Sequence, residues 1–221
     1  MTSFDANNTT SVLPALAAPG TYAAHEPGLP ALELLGPDAD ASIRGDIENR
    51  IAATFANRYG AKIDHFLPYL LRLSASEQYL DVPIEQAVSR EFRTPVDRAQ
   101  IVEIGNLASL VQGSATLLFA LLPAILRAAG MRWVVCTATP QVLAMLGKLQ
   151  FPVRTICTAD PDLLGDDKDN WGSYYSNRPR VIVGDVQTAV RQASKSRATF
   201  ALRQALGAPI HQIAATLRSA G

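Results

Sequence analysis

One carboxylate stands inside an otherwise apolar stretch near the middle of the chain. Residues 101–107 read Ile-Val-Glu-Ile-Gly-Asn-Leu, with Glu103 as the only charge. Because buried acids are rare unless they are paired or functional, Glu103 is either a general base that faces a cleft or a structural carboxylate paired with an arginine. Asn106 lies near the end of the same stretch, where its amide either hydrogen-bonds a reacting group or caps the following loop. These residue types suit proton transfer beside a polarised carbonyl.

A run of small and polar residues comes next, and it suits the binding of an anion. Gln112, Gly113, Ser114, Ala115 and Thr116 lie between a predicted strand and a predicted helix. A helix N-terminus offers unpaired backbone N–H groups and the positive end of the helix dipole, so these residues are candidates to hold a phosphate. Any strand-to-helix turn uses the same residue types, which leaves a purely structural role open.

Two further groups are candidates for contacts with a substrate. Thr137 and Thr139 end the second predicted strand, where they either face the same cleft or serve as ordinary strand residues. Glu77, Tyr79 and Asp81 form an acidic and aromatic cluster that suits an amine acceptor, although a capped helix start explains Asp81 as well.

The remaining residues with reactive side chains are expected to contribute mainly to packing. Trp171, Tyr174 and Tyr175 are predicted to pack against the sheet, with Trp171 kept as a candidate for substrate contact. His65, beside Phe66, is more typical of a structural histidine than of a base. The chain shows no Ser-His-Asp order, no metal-ligand spacing and no Walker-type loop, which argues against hydrolase and kinase functions and predicts no metal.

Alternating elements must position these residues. The predicted order is a strand over 101–107, a turn over 111–116, an apolar helix over 117–129, a second strand over 132–139 and a helix from Pro140 onward. Gly130 ends the apolar helix, as a C-terminal glycine commonly does, and Pro123 is expected to kink it. Pro140 occupies the favoured first position of the next helix.

The flanking segments complete a mixed α/β (α+β) fold. Ser42 is predicted to cap a helix that stops at Gly60 and whose core face carries Ile43, Ile47, Ile51 and Phe55. Strands are predicted over 65–73, 152–158 and 180–185, a helix over 84–92 and an acidic loop over 160–169. Two C-terminal helical segments are predicted to break at 207–209 and to pack on the domain or on a partner through Val190, Phe200, Leu202, Leu206, Ile213 and Leu217.

The charge balance and the composition limit the kinds of molecule that the protein is expected to bind. The 20 basic and 20 acidic residues balance, so no broad basic field exists for nucleic acid or an anionic membrane, although local patches remain open. The first ten residues lack the basic and apolar parts of a signal peptide, and Cys136 and Cys157 fit small buried hydrophobes in a reducing compartment, so a cytoplasmic location is expected. Residues 107–126 are nearly apolar, but the polar run at 112–114 predicts a buried core helix and no membrane span.

With the elements in order, the central stretch resembles the core of the GNAT acyltransferase superfamily. In that superfamily a strand leads into a pyrophosphate-binding loop, a helix, and a second strand that splays from the first. Here Gln112, Gly113 and Ala115 stand where the loop would be, although the usual loop signature is not in register. The resemblance implies a splayed, mixed β-sheet flanked by helices.

A narrower resemblance, to the thermostable haemolysin family of bacteria, covers about residues 44–186. It rests on motifs that occur in the family's order: Tyr59-Gly60-Ala61, Phe66-Leu67-Pro68-Tyr69-Leu70, Glu77-Gln78-Tyr79-Leu80-Asp81, the run at 101–108, Arg132-Trp133-Val134-Val135, Thr137-Ala138-Thr139 and Trp171-Gly172-Ser173-Tyr174-Tyr175, with Pro179, Val181, Gly184 and Asp185. Family members carry about two strands, by ordinary strand lengths, between the segments that match Leu73 and Glu77. Only Ser74-Ala75-Ser76 stand there in this chain. Either that hairpin has been lost or residues are missing from the sequence, and the exposed edge that a loss would leave favours the second explanation.

The resemblance implies an enzyme related to acyl-homoserine-lactone synthases, which take an acyl group from an acyl-CoA or an acyl carrier protein and pass it to a small amine or related acceptor. The expected domains are an N-terminal extension over 1–41, a GNAT-like acyltransferase domain over 42–186 and C-terminal helices over 187–221. The expected site comprises Glu103 and Asn106 for catalysis; Leu107, Ala108, Gln112, Gly113, Ser114, Ala115, Thr116, Thr137 and Thr139 for the donor; and Glu77, Tyr79, Asp81 and Trp171 for the acceptor.

Two other functions stay open at this stage. The family's name implies a membrane-active protein, in which apolar segments such as 117–129 would enter lipid. The degenerate loop alternatively fits a binding module for acyl thioesters that has lost turnover. A small-molecule acceptor and an acyl carrier protein are the expected partners, and a homodimer remains open.

Overall fold

Four strands form one mixed sheet in the computed structural model, which describes residues 40–63, 66, 76–105 and 114–219, with the side chains of residues 114 and 115 left out. The strands are β1 (Ile101–Ile104), β2 (Trp133–Ala138), β3 (Val153–Thr158) and β4 (Arg180–Asp185), in the order β1-β2-β4-β3. β1 runs parallel to β2, and β4 runs antiparallel to both β2 and β3. The predicted α/β class and these strands are confirmed, although β1 ends at Ile104.

Two helices precede the sheet. α1 spans Ala41–Tyr59 and α2 spans Ile84–Phe92. The predicted cap of α1 was wrong, because the Asp40 carboxylate, and not the Ser42 hydroxyl, accepts from the first backbone N–H groups. Ile43 is exposed, since it lies in the first turn beyond the packed face of α1. Gly60 ends the helix in the left-handed conformation, as predicted.

The central helices follow the predicted order with one shifted boundary. α3 spans Ser114–Ala128 and α4 spans Pro140–Lys148, with Thr139 at its N-cap position. Residues 114–116 therefore belong to the helix and not to the preceding turn, because small polar residues are as well suited to a first helical turn as to a loop. Pro123 lies inside α3, which continues through it.

The C-terminal segment forms three helices, where two were predicted. They are α5 (Val186–Ala193), α6 (Arg197–Ala205) and α7 (Gly207–Ser219). The additional break falls at Ser194–Ser196, where the Ser196 hydroxyl caps α6. The predicted break is present at Leu206, one residue before the Gly-Ala-Pro segment at 207–209, which forms the start of α7. Val190, Leu206 and Ile213 are buried as predicted, whereas Phe200 is not.

Short 3₁₀ helices connect these elements at Glu77–Tyr79, Arg98–Gln100, Pro161–Trp171 and Tyr174–Asn177. The acidic segment at 160–169 was predicted as a loop, but most of it is helical, with Asp160 accepting from the Asp162 amide and Gly165 interrupting the turns at φ 59°. Asp and Gly are common both in short helical turns of this kind and in loops, so the sequence did not reveal the helical geometry.

Strand alternation divides the core into two layers. Val102 and Ile104 face α3, α5 and α7, in a cluster that includes Leu121, Ile125 and Ile213. Ile101, Trp133, Val135, Val181 and Val183 face the other way, towards α2. The C-terminal helices thus share a core with the sheet and α3.

The predicted strand over 65–73 and the question of a lost hairpin before Glu77 lie outside the described residues. Among the residues that are described, no helix combines the length and the apolar character that crossing a membrane requires.

Candidate functional site

Glu103 lies on β1 and is held by a residue from a distant part of the chain. Its carboxylate oxygen Oε1 accepts hydrogen bonds from the Ser76 backbone N–H at 2.8 Å and from the Ser76 hydroxyl at 2.5 Å. The Ser76 hydroxyl is also 3.3 Å from the Thr137 hydroxyl on β2. Glu103 is 4% exposed and Ser76 is 1% exposed. Because a hydrogen-bonded carboxylate keeps one orientation, this arrangement fixes the direction of the Glu103 side chain.

Three tyrosines stand beside this carboxylate. The Tyr79 and Tyr175 hydroxyls are 2.5 Å apart, and the Tyr174 hydroxyl donates to the Thr137 carbonyl at 3.4 Å. Burial raises the pKa of all three tyrosines above its ordinary value. They therefore remain protonated at neutral pH and offer hydroxyl donors.

A close backbone approach positions the tyrosines. The Ser173 amide donates to the Tyr59 carbonyl at 2.7 Å, which ties residues 171–175 to the end of α1. Gly172, at φ 51°, makes this approach feasible, because a Cβ there would lie 2.2 Å from the Tyr59 carbonyl oxygen. Trp171 and Tyr174 then pack against Phe55 of α1, with ring centroids 6.3 Å from it.

A cavity of about 340 Å³ contains these groups. Its volume is near the lower limit of ordinary ligand pockets. The polar part lies on the face of the sheet that is turned towards α2. Its lining residues come from that face, from the connections beside it and from the end of α1: Arg58, Tyr59, Gln78, Tyr79, Glu103, Thr137, Trp171, Tyr174 and Tyr175.

The same cavity continues on the other face of the sheet, the one covered by α3, α5 and α7. Here its lining is almost entirely apolar: Leu118, Phe119, Leu122, Leu126, Val134, Val142, Met145, Leu146, Phe151, Ile182, Gly184, Val186 and Ala189. We call this part the apolar chamber. It lies beneath α3 and beside α4, both of which supply lining residues.

The two parts meet where β1 ends. Ile104, the last residue of β1, pairs with Cys136, whereas β2 continues to Ala138. Ile104, Gly105, Cys136 and Thr137 all line the cavity, so the cavity contacts both faces of the sheet at this point. A ligand placed here could therefore have its polar group beside Glu103 and its apolar part in the chamber.

The thiol of Cys136 lies in the wall at this junction. Burial, and then the charge of Glu103, raises the pKa of Cys136 to about 12. Because the thiolate is the nucleophilic form, Cys136 is a poor nucleophile at neutral pH and acts as part of the apolar wall.

The structure brings five of the predicted site residues together. Glu103, Thr137, Thr139, Tyr79 and Trp171 all line the cavity. Trp171 and the two tyrosines that follow both pack, as predicted, and contact the cavity.

The other two acceptor candidates lie elsewhere. Glu77 forms an ion pair with Arg98 at 2.5 Å, and this contact lowers the pKa of Glu77 to about 2. Asp81 is exposed, with Arg90 at 3.8 Å. Neither carboxylate is part of the cavity lining.

The catalytic candidate Asn106 lies outside the described residues, as does most of the predicted donor loop, which comprises here Leu107, Ala108, Gln112 and Gly113. Ser114 and Ala115 are placed in the first turn of α3 by their backbone, and Thr116 is exposed there.

Sequence reasoning missed Ser76 and the apolar chamber. Ser76 shows no signal in the sequence, because it follows two other small residues and its role depends on a contact 27 residues away. Gly184 was a usable signal, since a glycine inside a strand often marks a place where a ligand or another backbone approaches.

Comparison with known proteins gives one match. A family model described as Thermostable hemolysin matches residues 75–190, which is more than half of the chain and includes Ser76, Glu103 and the tyrosines. No curated protein and no solved structure matches the chain significantly.

Proposed function

This chain belongs to the thermostable haemolysin family, and from its cavity we propose that it is an N-acyltransferase. The enzyme takes an acyl group from a thioester of coenzyme A or of an acyl carrier protein and transfers it to a small amine. One observation carries the proposal: a single cavity connects the buried carboxylate of Glu103 to an apolar chamber. An acyl thioester has the same two parts, a reactive carbonyl and an apolar tail.

The apolar chamber suits the acyl tail. Its walls are mainly aliphatic and aromatic side chains from α3, α4, α5, β2 and β4, and polar side chains enter the lining here only at Thr139 and Gln141, at the start of α4. Each buried methylene of a ligand contributes about 0.8 kcal/mol, so a tail of about five methylenes contributes about 4 kcal/mol, roughly a thousandfold in affinity, to the binding of the donor. The tail would also place the thioester carbonyl at the end of β1.

Glu103 is the candidate base for the acceptor. Its carboxylate would accept a proton from the attacking amine as the new C–N bond forms at the thioester carbonyl. The C–S bond then breaks, and the sulfur leaves as a thiol after taking up one proton, so protons balance across the reaction. Ser76 fixes the carboxylate from one side through two hydrogen bonds to the same oxygen.

The tyrosines are the candidate donors of the proton that the leaving sulfur takes up, and the tyrosinate formed then recovers the proton that Glu103 took from the amine, so both groups return to their starting states. The hydroxyl pair of Tyr79 and Tyr175 lines the same cavity as Glu103, and burial raises the pKa of both side chains, which keeps them protonated. Thr137 adds a hydroxyl between Ser76 and the chamber, where it can orient the carbonyl or the acceptor. Arg58 stands at the exposed end of this lining and supplies a cation for the phosphate of the donor.

The test is direct detection of turnover. The full chain is incubated with acyl-CoA and acyl carrier protein thioesters of different tail lengths and with a panel of small amines. Mass analysis is expected to find an N-acyl amine, and free thiol should accumulate in equal amount. If no thioester in the panel is consumed with any amine, while the same protein binds acyl-CoA, the chain is a binding module and the proposal of catalysis is wrong.

A further inference from the structure

We infer that α6 and the basic residues beside it form a docking surface for an anionic lipid bilayer. This surface, which we call the α6 face, consists of Arg191, Lys195, Arg197, Phe200 and Arg203 with Arg127 of α3. The inference does not depend on the proposed acyl transfer, since it rests on charge and exposure outside the cavity.

The charge of the C-terminal helices is one-sided. Residues 186–219 contain five basic residues, Arg191, Lys195, Arg197, Arg203 and Arg218, and no Asp or Glu, although the whole chain has 20 of each sign. The nearest carboxylate in sequence, Asp185, is already engaged, because it pairs with Arg132 at 2.6 Å and caps α5. An anionic surface is the partner that complements such a segment.

Arginines also gather where α3 ends. Arg203 lies close enough to Arg127 for that like charge to add to burial in lowering the pKa of Arg203. Arg218 donates to the Ala128 carbonyl at the same end of α3. Within the part of the chain that the structure describes, none of these three guanidinium groups forms an ion pair with a carboxylate. Their charge is therefore available to an external anion.

The outer side of α6 carries an exposed aromatic ring among these charges. α6 has no buried residue, and Phe200 is 52% exposed. Helical periodicity places Arg197, Ala201 and Gln204 on the same outward side, while Leu202 packs against the core. A surface helix with an aromatic ring, small residues and flanking arginines is typical of helices that lie in the headgroup region of a bilayer.

An acidic segment lies on the other face of the sheet. Five aspartates lie within 160–169, a segment whose Leu164 packs on the other face of the sheet. This separation would orient the protein with α6 towards an anionic bilayer and the acidic segment away from it. The exposed Phe200 favours lipid over an acidic protein, since a half-exposed ring inside a basic patch gains most by entering an apolar layer.

Vesicle flotation with the full chain tests the inference. Vesicles of phosphatidylcholine alone are compared with vesicles that also contain phosphatidylglycerol, at low and at raised salt. We expect binding to the anionic vesicles only, with loss on addition of salt. Lys195→Gln and Arg197→Gln should each weaken binding about fivefold, which corresponds to about 1 kcal/mol per basic residue, and Phe200→Ser should weaken it severalfold.

Matched variants on the other side of the molecule localise the effect. Leu163→Ser removes an equally exposed apolar side chain, and Arg90→Gln removes an exposed cation of α2; both should bind as the unchanged protein does. Equal binding to neutral vesicles, or full binding by the α6 variants, overturns the inference. So does failure to bind anionic vesicles combined with α6-dependent retention on an immobilised acyl carrier protein, which would assign the face to an acidic protein.

Discussion

At the scale of residues, the site depends on one carboxylate oxygen shared by two donors. The Ser76 amide and hydroxyl both donate to Oε1 of Glu103, and the Ser76 hydroxyl also approaches Thr137. Under the proposed function, Ser76 is a positioning residue because it acts through Glu103. Its amide remains whatever side chain stands there, so the contribution of the hydroxyl can be measured separately.

Ser76→Ala should lower kcat about tenfold and leave KM nearly unchanged, because one neutral-to-charged hydrogen bond to the base contributes about 1.5 kcal/mol. Steady-state kinetics with a fixed thioester and amine measures both constants. Ser173→Ala is the matched control, since that hydroxyl donates to the Tyr59 carbonyl on the exposed side. If kcat of the Ser76→Ala enzyme is unchanged, the Ser76 hydroxyl does not position Glu103 for catalysis.

At the scale of elements, the connection between α1 and the tyrosines relies on the absence of a side chain at Gly172. A Cβ there would meet the Tyr59 carbonyl oxygen at 2.2 Å, and the backbone adopts φ 51°. Gly172→Ala should therefore lower the free energy of unfolding by about 1–3 kcal/mol or more and weaken activity with it. Denaturant unfolding measures the loss.

Gly45 offers the control for that experiment. It lies inside α1, and a Cβ there would contact nothing within 4 Å. Gly45→Ala should raise the free energy of unfolding by about 1 kcal/mol, because alanine is the better helix former. If Gly172→Ala is as stable as the unchanged chain, or is stabilised as Gly45→Ala is, the close approach at Gly172 is misplaced.

The apolar chamber makes a separate prediction about the length of the acyl chain. A Cβ at Gly184 would lie 3.3 Å from Val134 Cγ1 and 3.6 Å from Val153 Cγ1. Gly184→Ala should shift the preferred donor towards shorter acyl chains by about 10-fold or more in relative kcat/KM, because one methylene contributes about 1–3 kcal/mol to discrimination. Competition between two acyl-CoA thioesters measures this ratio.

Val134→Ala should restore part of the lost space in the Gly184→Ala background, since the two side chains face each other across adjacent strands. A chain-length preference that is indifferent to both substitutions would mean that the acyl tail does not occupy the chamber.

The elements were more predictable than the contacts between them. The strands and α2, α3 and α4 follow from apolar runs, Pro140 and Gly130, because local patterns determine local structure. The three-helix form of the C-terminus was missed, since no Gly or Pro marks the break at Ser194–Ser196 that separates α5 from α6. Glu103 could be proposed because it is the only charge in its strand, and Thr137 because it lies at the end of the second strand. Ser76 and the chamber depend on tertiary packing, which one sequence does not display.

At the scale of the whole molecule, several acidic protons are held more tightly in the folded chain than in the unfolded one. Burial raises the pKa of Cys136 from 9.0 to about 12 and raises those of Tyr79 and Tyr175 above 10.0. Above pH 9 the unfolded chain releases these protons first, so the free energy of unfolding falls as pH rises. Each proton contributes a slope of at most about 1.4 kcal/mol per pH unit.

The double substitution Tyr79→Phe with Tyr175→Phe should flatten this loss above pH 10. Removing both hydroxyls of a bonded pair leaves neither without its partner, and Gln78, which also hydrogen-bonds Tyr79, is exposed and can bond water instead, so stability at pH 7 should change little. Guanidinium unfolding at several pH values gives the slopes. A double variant that loses stability as steeply as the unchanged chain would show that the tyrosines do not hold these protons.

The whole account depends on whether Glu103 acts in acyl transfer, and the most direct measurement is a single-turnover reaction that follows thiol release and N-acyl amine together. Glu103→Gln preserves the acceptor oxygen for Ser76 and removes the base. We predict equal amounts of thiol and amide from the unchanged enzyme, and a fall in both rates of about 10²–10⁴-fold in Glu103→Gln, with acyl-CoA binding retained. Glu91→Gln, on α2, should react normally. A Glu103→Gln protein that forms the amide at the unchanged rate would contradict the account.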